Sequence, residues 1–214
     1  MSLESGLNQN KYLNLSSSWR YLTVENFDKI TDEELVKLIL ENQENFLFLV
    51  RRYEEKLTRY IRRISGLDKE DIEDLLQDIF IKVYQNLNDF DTSLKFSSWI
   101  YRIAHNHAIS NFRKSKARPV TVSMDEETEI ARRIASGIDV LKEVDQKLKK
   151  KVVIDVLKKM DKNYKEVLIL KFLEEKDYNE ISDILQKPVG TIGTLINRAK
   201  KQFKKIVEKE KIDF

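Results

Sequence analysis

Apolar residues return every three or four positions along most of this chain, the period of helices that bury one side. Leu35, Leu38 and Ile39 open the pattern just after Thr31-Asp-Glu-Glu34. There Thr31 can cap free amides, and Glu34 can reach back to close a capping box. Phe46, Leu49, Val50, Tyr53, Leu57, Tyr60, Ile61 and Ile64 mark a second helix, which Gly66 ends. A third runs from Asp68 to Leu87, with Ile72, Leu75, Leu76, Ile79, Phe80, Val83, Tyr84 and Leu87 on one side. The turn-forming run Asn88-Asp-Phe-Asp-Thr-Ser93 breaks the period, and Phe96 to Lys114 resumes as a fourth helix carrying Trp99. Pro119 closes this block.

Four further helices are expected at Leu148–Met160, Tyr164–Phe172, Tyr178–Leu185 and Pro188–Lys205, with tight turns at Asp161-Lys-Asn163 and Gln186-Lys187. The pattern predicts an all-α protein of two small helical domains, a four-helix domain at 31–118 and a helix-turn-helix domain at 146–210. A flexible linker at 119–145, acidic at Asp125, Glu126, Glu127 and Glu129, joins them, and residues 1–30 read as an N-terminal extension.

Composition narrows the classes. With 35% charged residues and only 5 Gly and 2 Pro, long amphipathic helices are favoured over turn-rich sheets. The absence of cysteine excludes disulfides, thiolate metal sites and thiol catalysis, and fits a cytoplasmic protein. No apolar run approaches the roughly 20 residues that span a bilayer, so no membrane insertion is expected, and the N-terminus lacks the order of a signal peptide. A net charge of +3, left by 39 basic and 36 acidic side chains, matters less than where each sign collects.

The signs segregate. Lys95, Arg102, Arg113, Lys114, Lys116 and Arg118 lie in a stretch with no acid, interleaved with Trp99, Tyr101, His105, Asn106 and Phe112. Exposed bases stack on aromatic rings and phosphates need counter-charge, so this mixture suits single-stranded nucleic acid. Trp99 shares a face with Phe96, Ile100 and Ile103 and fits a core position better than a base contact; Asn106 lies off that face and is the stronger candidate. His105 and His107 are two apart and point to different faces, so no metal site is expected. Between Asp68 and Asp91, eight acids (Asp68, Glu70, Asp71, Glu73, Asp74, Asp78, Asp89, Asp91) outnumber Lys69 and Lys82. That surface repels phosphate and should face a protein, although charge alone is as well met by a solvated face.

In the last pair of helices, a tight turn leads to Pro188 and then to a helix ending in Lys and Arg, the order of a helix-turn-helix. On a wheel Val189, Ile192, Leu195, Ile196, Ala199 and Phe203 crowd one side, and Thr191, Thr194, Arg198 and Lys201 face the other. Thr194, Asn197 and Arg198 are the expected base contacts, with Thr191, Lys200, Lys201 and Lys204 near phosphates. There is no Gly-rich phosphate loop and no nucleophile with a neighbouring base, so neither catalytic residues nor cofactors are expected.

Asp74-Leu-Leu-Gln-Asp-Ile-Phe-Ile-Lys-Val-Tyr84 and Phe96-Ser-Ser-Trp-Ile-Tyr-Arg-Ile-Ala-His-Asn106 resemble the second region of bacterial RNA polymerase sigma factors of the extracytoplasmic-function type. Asp32-Glu-Glu-Leu-Val36 and Phe46 to Tyr53 resemble the start of that domain. Tyr164-Lys-Glu-Val-Leu168, Tyr178-Asn-Glu-Ile-Ser182 and Pro188-Val-Gly-Thr-Ile192 resemble the fourth region. The likeness covers residues 31–118 and 146–208.

The resemblance implies a protein that binds core RNA polymerase and promoter DNA, melting the minus-ten element with its first domain and reading the minus-thirty-five element with its second. Carried over by position, it assigns Asp74, Gln77, Asp78 and Phe80 to polymerase binding. Phe90, Asp91, Trp99, Arg102, Asn106, Arg113 and Lys114 fall to the minus-ten element, the loop around Phe90 helping to trap a flipped base, and Thr191, Thr194, Asn197, Arg198 and Lys201 to the minus-thirty-five element. It also leaves room for an anti-sigma partner and for an acidic linker that enters the polymerase cleft. Gly193, Thr194 and Leu195 depart from the family, which often places a basic residue, a serine and an arginine there, so fewer cations reach the groove. The competing readings are a helix-turn-helix transcriptional regulator without promoter melting and a helical module that only sequesters partners.

Overall fold

The computed structural model describes residues 27–91, 94–114 and 156–209. Among them all regular structure is helical, and none of the helices is long and apolar enough to cross a membrane. The chain divides into a compact unit up to Arg51 and a larger one from Arg52 onward.

In the first unit a single 3-10 turn, Phe27–Lys29, precedes helix α1, Asp32–Glu41. The capping box expected from Thr31 and Glu34 is present: the Thr31 hydroxyl accepts from the Glu34 amide at 3.2 Å, and the Thr31 amide donates to the Glu34 carboxylate at 2.8 Å. Leu35, Val36, Leu38 and Ile39 are buried, as the three-and-four spacing requires. A second 3-10 turn, Gln43–Asn45, carries the buried Asn45, whose amide donates to the Leu38 carbonyl at 3.0 Å. Phe27 and Phe48 stack with ring centres 5.3 Å apart. Phe27 to Ile30, part of the expected extension, thus include a buried Ile30 and a packed Phe27 ring.

Helix α2, Phe46–Ser65, crosses from the first unit into the second and ends at Gly66, whose φ of 67° is a conformation that suits a residue without Cβ. Helix α3, Lys69–Gln85, starts at Asp68, which accepts from the Asp71 amide at 2.9 Å. Helix α4, Phe96–Lys114, follows the Phe90 loop and packs on α3. Tyr53, Leu57, Tyr60 and Ile61 of α2, Ile72, Leu75, Ile79 and Val83 of α3, and Phe96, Ile100, Ala104 and Ala108 of α4 are sealed from solvent. Burying each large apolar side chain among them contributes roughly 1.5–3 kcal/mol, which is what fixes α4 against its neighbours.

Residues 156–159 are helical, and α5, Lys162–Phe172, α6, Tyr178–Leu185, and α7, Val189–Lys209, complete the second unit. α7 packs on both α5 and α6 through Ile192, Ile196, Ala199 and Phe203. Gln186 takes the left-handed conformation between α6 and α7 at φ 52°, and the Ser182 hydroxyl donates to the Lys187 carbonyl at 2.5 Å, which sets the tight turn. Within this unit α4 also packs directly on α6. The expected linker at 119–145, with Asp125, Glu126, Glu127 and Glu129, lies outside the described residues, as do most of the expected extension and the start of the Leu148–Met160 helix.

Candidate nucleic-acid interface

The aromatic residues at the start of α4 build one cluster. Phe90 meets Phe96 edge-on, with centres 5.3 Å apart and planes at 87°, and Trp99 lies 5.3 Å from Phe90 and 5.5 Å from Phe96. Tyr53 of α2 closes the cluster against Phe96 at 5.7 Å. Phe90 is only 6% exposed, so its ring is the floor on which Trp99 rests, and what the loop offers to solvent is Asp91. Trp99 is half-buried, as its shared face with Phe96 suggested.

On the side of α4 away from this floor, Asn106 is exposed and Arg102 partly exposed, one turn apart. The structure therefore brings Trp99, Arg102 and Asn106 onto one accessible strip. The side chains of Arg113 and Lys114 lie outside the described residues. Behind the strip, His105 turns inward, its Nδ1 3.1 Å from the Tyr60 hydroxyl. Burial first, and then the cations Lys162 and Lys187, hold the imidazole down at about 4, so it is neutral at pH 7. Among the described residues no three His, Asp or Glu side chains gather as metal ligands.

The acidic helix turns Asp74, Gln77 and Asp78 to solvent, while Phe80 is 9% exposed and belongs to the core. Two residues that the periodicity did not select stand beside those carboxylates: Ile81, 55% exposed, and Tyr84, 41% exposed, which the wheel had placed in the buried stripe. The signal for Ile81 was present in the sequence, since it falls out of phase with Ile72, Leu76, Ile79 and Val83. An apolar centre ringed by acids and an amide is a surface suited to protein contact.

On α7 the apolar side faces inward and Thr191, Thr194, Asn197, Arg198 and Lys201 are all exposed. Val189, expected on the buried side, is 41% exposed at the start of the helix, one turn before the first sealed residue, Ile192. The Thr194 hydroxyl donates back to the Gly190 carbonyl at 3.0 Å, so its proton is engaged and the oxygen is left to accept. A Cβ at Gly193 would meet only Tyr178, at 3.7 Å, and one at Gly190 would meet nothing within 4 Å, so neither glycine answers an internal clash.

A group the sequence reading passed over is the acidic edge of the helix-turn-helix. Asp177 caps α6 in a capping box with Glu180, and each carboxylate divides its oxygens: one serves the cap, the other faces α4. Asp177-Tyr-Asn-Glu180 carries the same spacing as Thr31 to Glu34 and was legible as a cap.

Comparison with known proteins places these elements. Residues 49–118 match the Sigma-70 region 2 family and residues 150–203 match Sigma-70, region 4. The ECF RNA polymerase sigma factor SigW of Bacillus subtilis is 34% identical over 176 residues, covering 77% of this chain and 89% of that protein. The ECF RNA polymerase sigma-E factor of Escherichia coli is 29% identical over 181 residues, covering 81% of this chain and 92% of that protein. In fold the chain is similar to CnrH in its complex with the cytosolic domain of CnrY, with a TM-score of 0.61, 23% identity, and 83% and 97% of the two chains covered. It is also similar to the sigma factor RpoE of Bartonella quintana in complex with the anti-sigma factor NepR, with a TM-score of 0.55, 19% identity, and 80% and 99% covered. With both regions present in order and a relative of this identity matched over most of its length, the chain belongs to the RNA polymerase sigma factors of the extracytoplasmic-function type.

Proposed function

We propose that the chain directs core RNA polymerase to specific promoters through three separate surfaces. The exposed face of α3, with Asp74, Gln77, Asp78 and the added Ile81, docks on the polymerase. The strip of Trp99, Arg102 and Asn106 on α4 holds the opened strand of the minus-ten element, and Thr191, Thr194, Asn197, Arg198 and Lys201 on α7 read the minus-thirty-five element. The carrying observation is that two polar, DNA-suited faces stand open on α4 and α7 while the acidic face of α3, which repels phosphate, is open as well.

Holding an unstacked base offsets the few kcal/mol that leaving the stack costs, so opening needs no nucleotide hydrolysis and the chain itself catalyses no reaction. Because Phe90 is packed under Trp99, base capture at this loop falls to the exposed edge around Asp91 and Trp99, with Phe90 as support. Work alongside the polymerase places the chain in the cytoplasm. The solved neighbours in complex with anti-sigma factors support a partner of that kind here.

The test is transcription from a library of promoter fragments by purified core polymerase with this chain, reading start sites by sequencing. Specific starts above core enzyme alone are expected. Asn106→Ala should lower initiation by roughly 5- to 100-fold, the loss of a contact of about 1–3 kcal/mol, while leaving duplex binding through α7 in place. Duplex binding without any promoter opening would instead favour a plain helix-turn-helix regulator.

A further inference from the structure

The contact between α4 and α6 is polar, and its chemistry is asymmetric. The acids come from the helix-turn-helix side and the donors from α2 and α4. Glu174 accepts from Arg63 Nη1 at 2.7 Å and from the Tyr101 hydroxyl at 2.7 Å, with Arg63 and Glu174 only 11% and 7% exposed. Lys95 Nζ donates to Asp177 at 3.1 Å and lies 3.6 Å from Glu180. Ser97 donates to Glu180 at 3.1 Å, and Lys176 lies 4.6 Å over the Tyr101 ring while donating to Ser97 at 3.1 Å.

Two properties set this contact apart from a permanent core. It is held by charged groups that water, salt or another anion can replace, as in interfaces between domains that move. It is also incompletely satisfied: Arg63 Nε is buried without a hydrogen-bond partner among the described residues. The contact covers neither reading face, since Asn106 on α4 and Thr194 and Arg198 on α7 stay exposed.

What it does is limit how far apart those faces can be. Asn106 is eleven residues from Lys95, about 17 Å along a helix at about 1.5 Å per residue. From Lys95 the chain of contacts runs through Asp177 to Tyr178, which lies beside Gly193. Adding side-chain lengths at about 1.5 Å per bond, Asn106 and Thr194 stand no more than about 50 Å apart. Elements centred near minus ten and minus thirty-five are about 25 base pairs apart, roughly 85 Å at about 3.4 Å per pair.

We propose that the contacts of Glu174, Asp177 and Glu180 with Arg63, Lys95, Ser97 and Tyr101 form a latch that keeps the free chain closed and unable to engage both promoter elements at once. The latch rests on the promoter-reading function for its consequence but not for its existence. Docking on core polymerase releases it, and the chain between Lys114 and Val156 is long enough, at about 3.3–3.6 Å per extended residue, to let the two reading faces part.

The chain lacks cysteine, so Ser110→Cys and Lys205→Cys, both exposed sites, allow a pair of spin labels on the full-length protein. Pulsed electron resonance should give one short distance population for the free chain and a longer one with core polymerase. Glu174→Gln with Glu180→Gln, which keeps a residue able to complete the cap, should shift the free chain toward long distances. The same variant should reach half-maximal initiation at roughly three- to tenfold lower concentration, because less of the chain is held in a closed form. Far-ultraviolet circular dichroism confirms its fold. Should it fail to fold, Glu174→Arg opens the chain and adding Arg63→Glu closes it again. A free chain that already shows long, broad distances, or distances unchanged by core polymerase, overturns the latch. Absence of promoter-directed starts from every version overturns the function instead, and leaves the distances in the free chain to decide the latch.

Discussion

At the scale of single residues, His105 shows how placement changes chemistry. On a wheel it is one polar position among several on α4, and only the packed structure turns it onto Tyr60 and beside the cations Lys162 and Lys187. The imidazole titrates near 6.5 when unfolded and near 4 here, so between those values the unfolded chain binds the extra proton. Stability is therefore complete above about pH 6.5 and is lost as pH falls toward 4. Denaturant melts at pH 7 and pH 5 should differ by roughly 1–2 kcal/mol from this group, allowing for its partial exposure, and His105→Gln should flatten that difference. Gly193 gives the opposite lesson. It costs its helix about 0.8–1 kcal/mol relative to alanine, and the neighbouring Tyr178 leaves room for a methyl group. Gly193→Ala should raise the urea midpoint accordingly, and a fall in minus-thirty-five binding alongside that gain would place the glycine at the DNA.

At the scale of the element, α3 and α4 carry opposite charges on neighbouring helices, and the structure sorts which of their residues can act. The third helix was legible as amphipathic, with Asp74, Gln77 and Asp78 on its open side. Phe80 and Phe90 were assigned contacts on the strength of the family likeness, and both rings are packed instead. A position in a motif does not say which way a ring points; the partner it meets does, and Phe90 meets Phe96 and Trp99. Conversely, Ile81 and Tyr84 stand exposed beside the acids. Asp78→Lys with Ile81→Ser should lower affinity for core polymerase by roughly tenfold or more, measured by fluorescence anisotropy. Both are surface positions, so folding stability should shift by no more than about 0.5 kcal/mol each.

At the scale of the whole molecule, the chain is a set of local instructions joined by a few long-range polar contacts. The helices, the Thr31 capping box, the Gly66 stop and the two-sided character of α7 followed from the sequence, because capping, backbone conformation and three-and-four spacing are local properties that depend on residues within one turn. The sign of each surface followed too, since charge is carried by composition. Tertiary structure alone decided that Glu174 reaches Arg63 and Tyr101, that the caps at Asp177 and Glu180 also bind Lys95 and Ser97, and that His105 is neutral. Those partners lie tens of residues apart, and no periodicity encodes a hydrogen bond between side chains that meet only after two helices have packed.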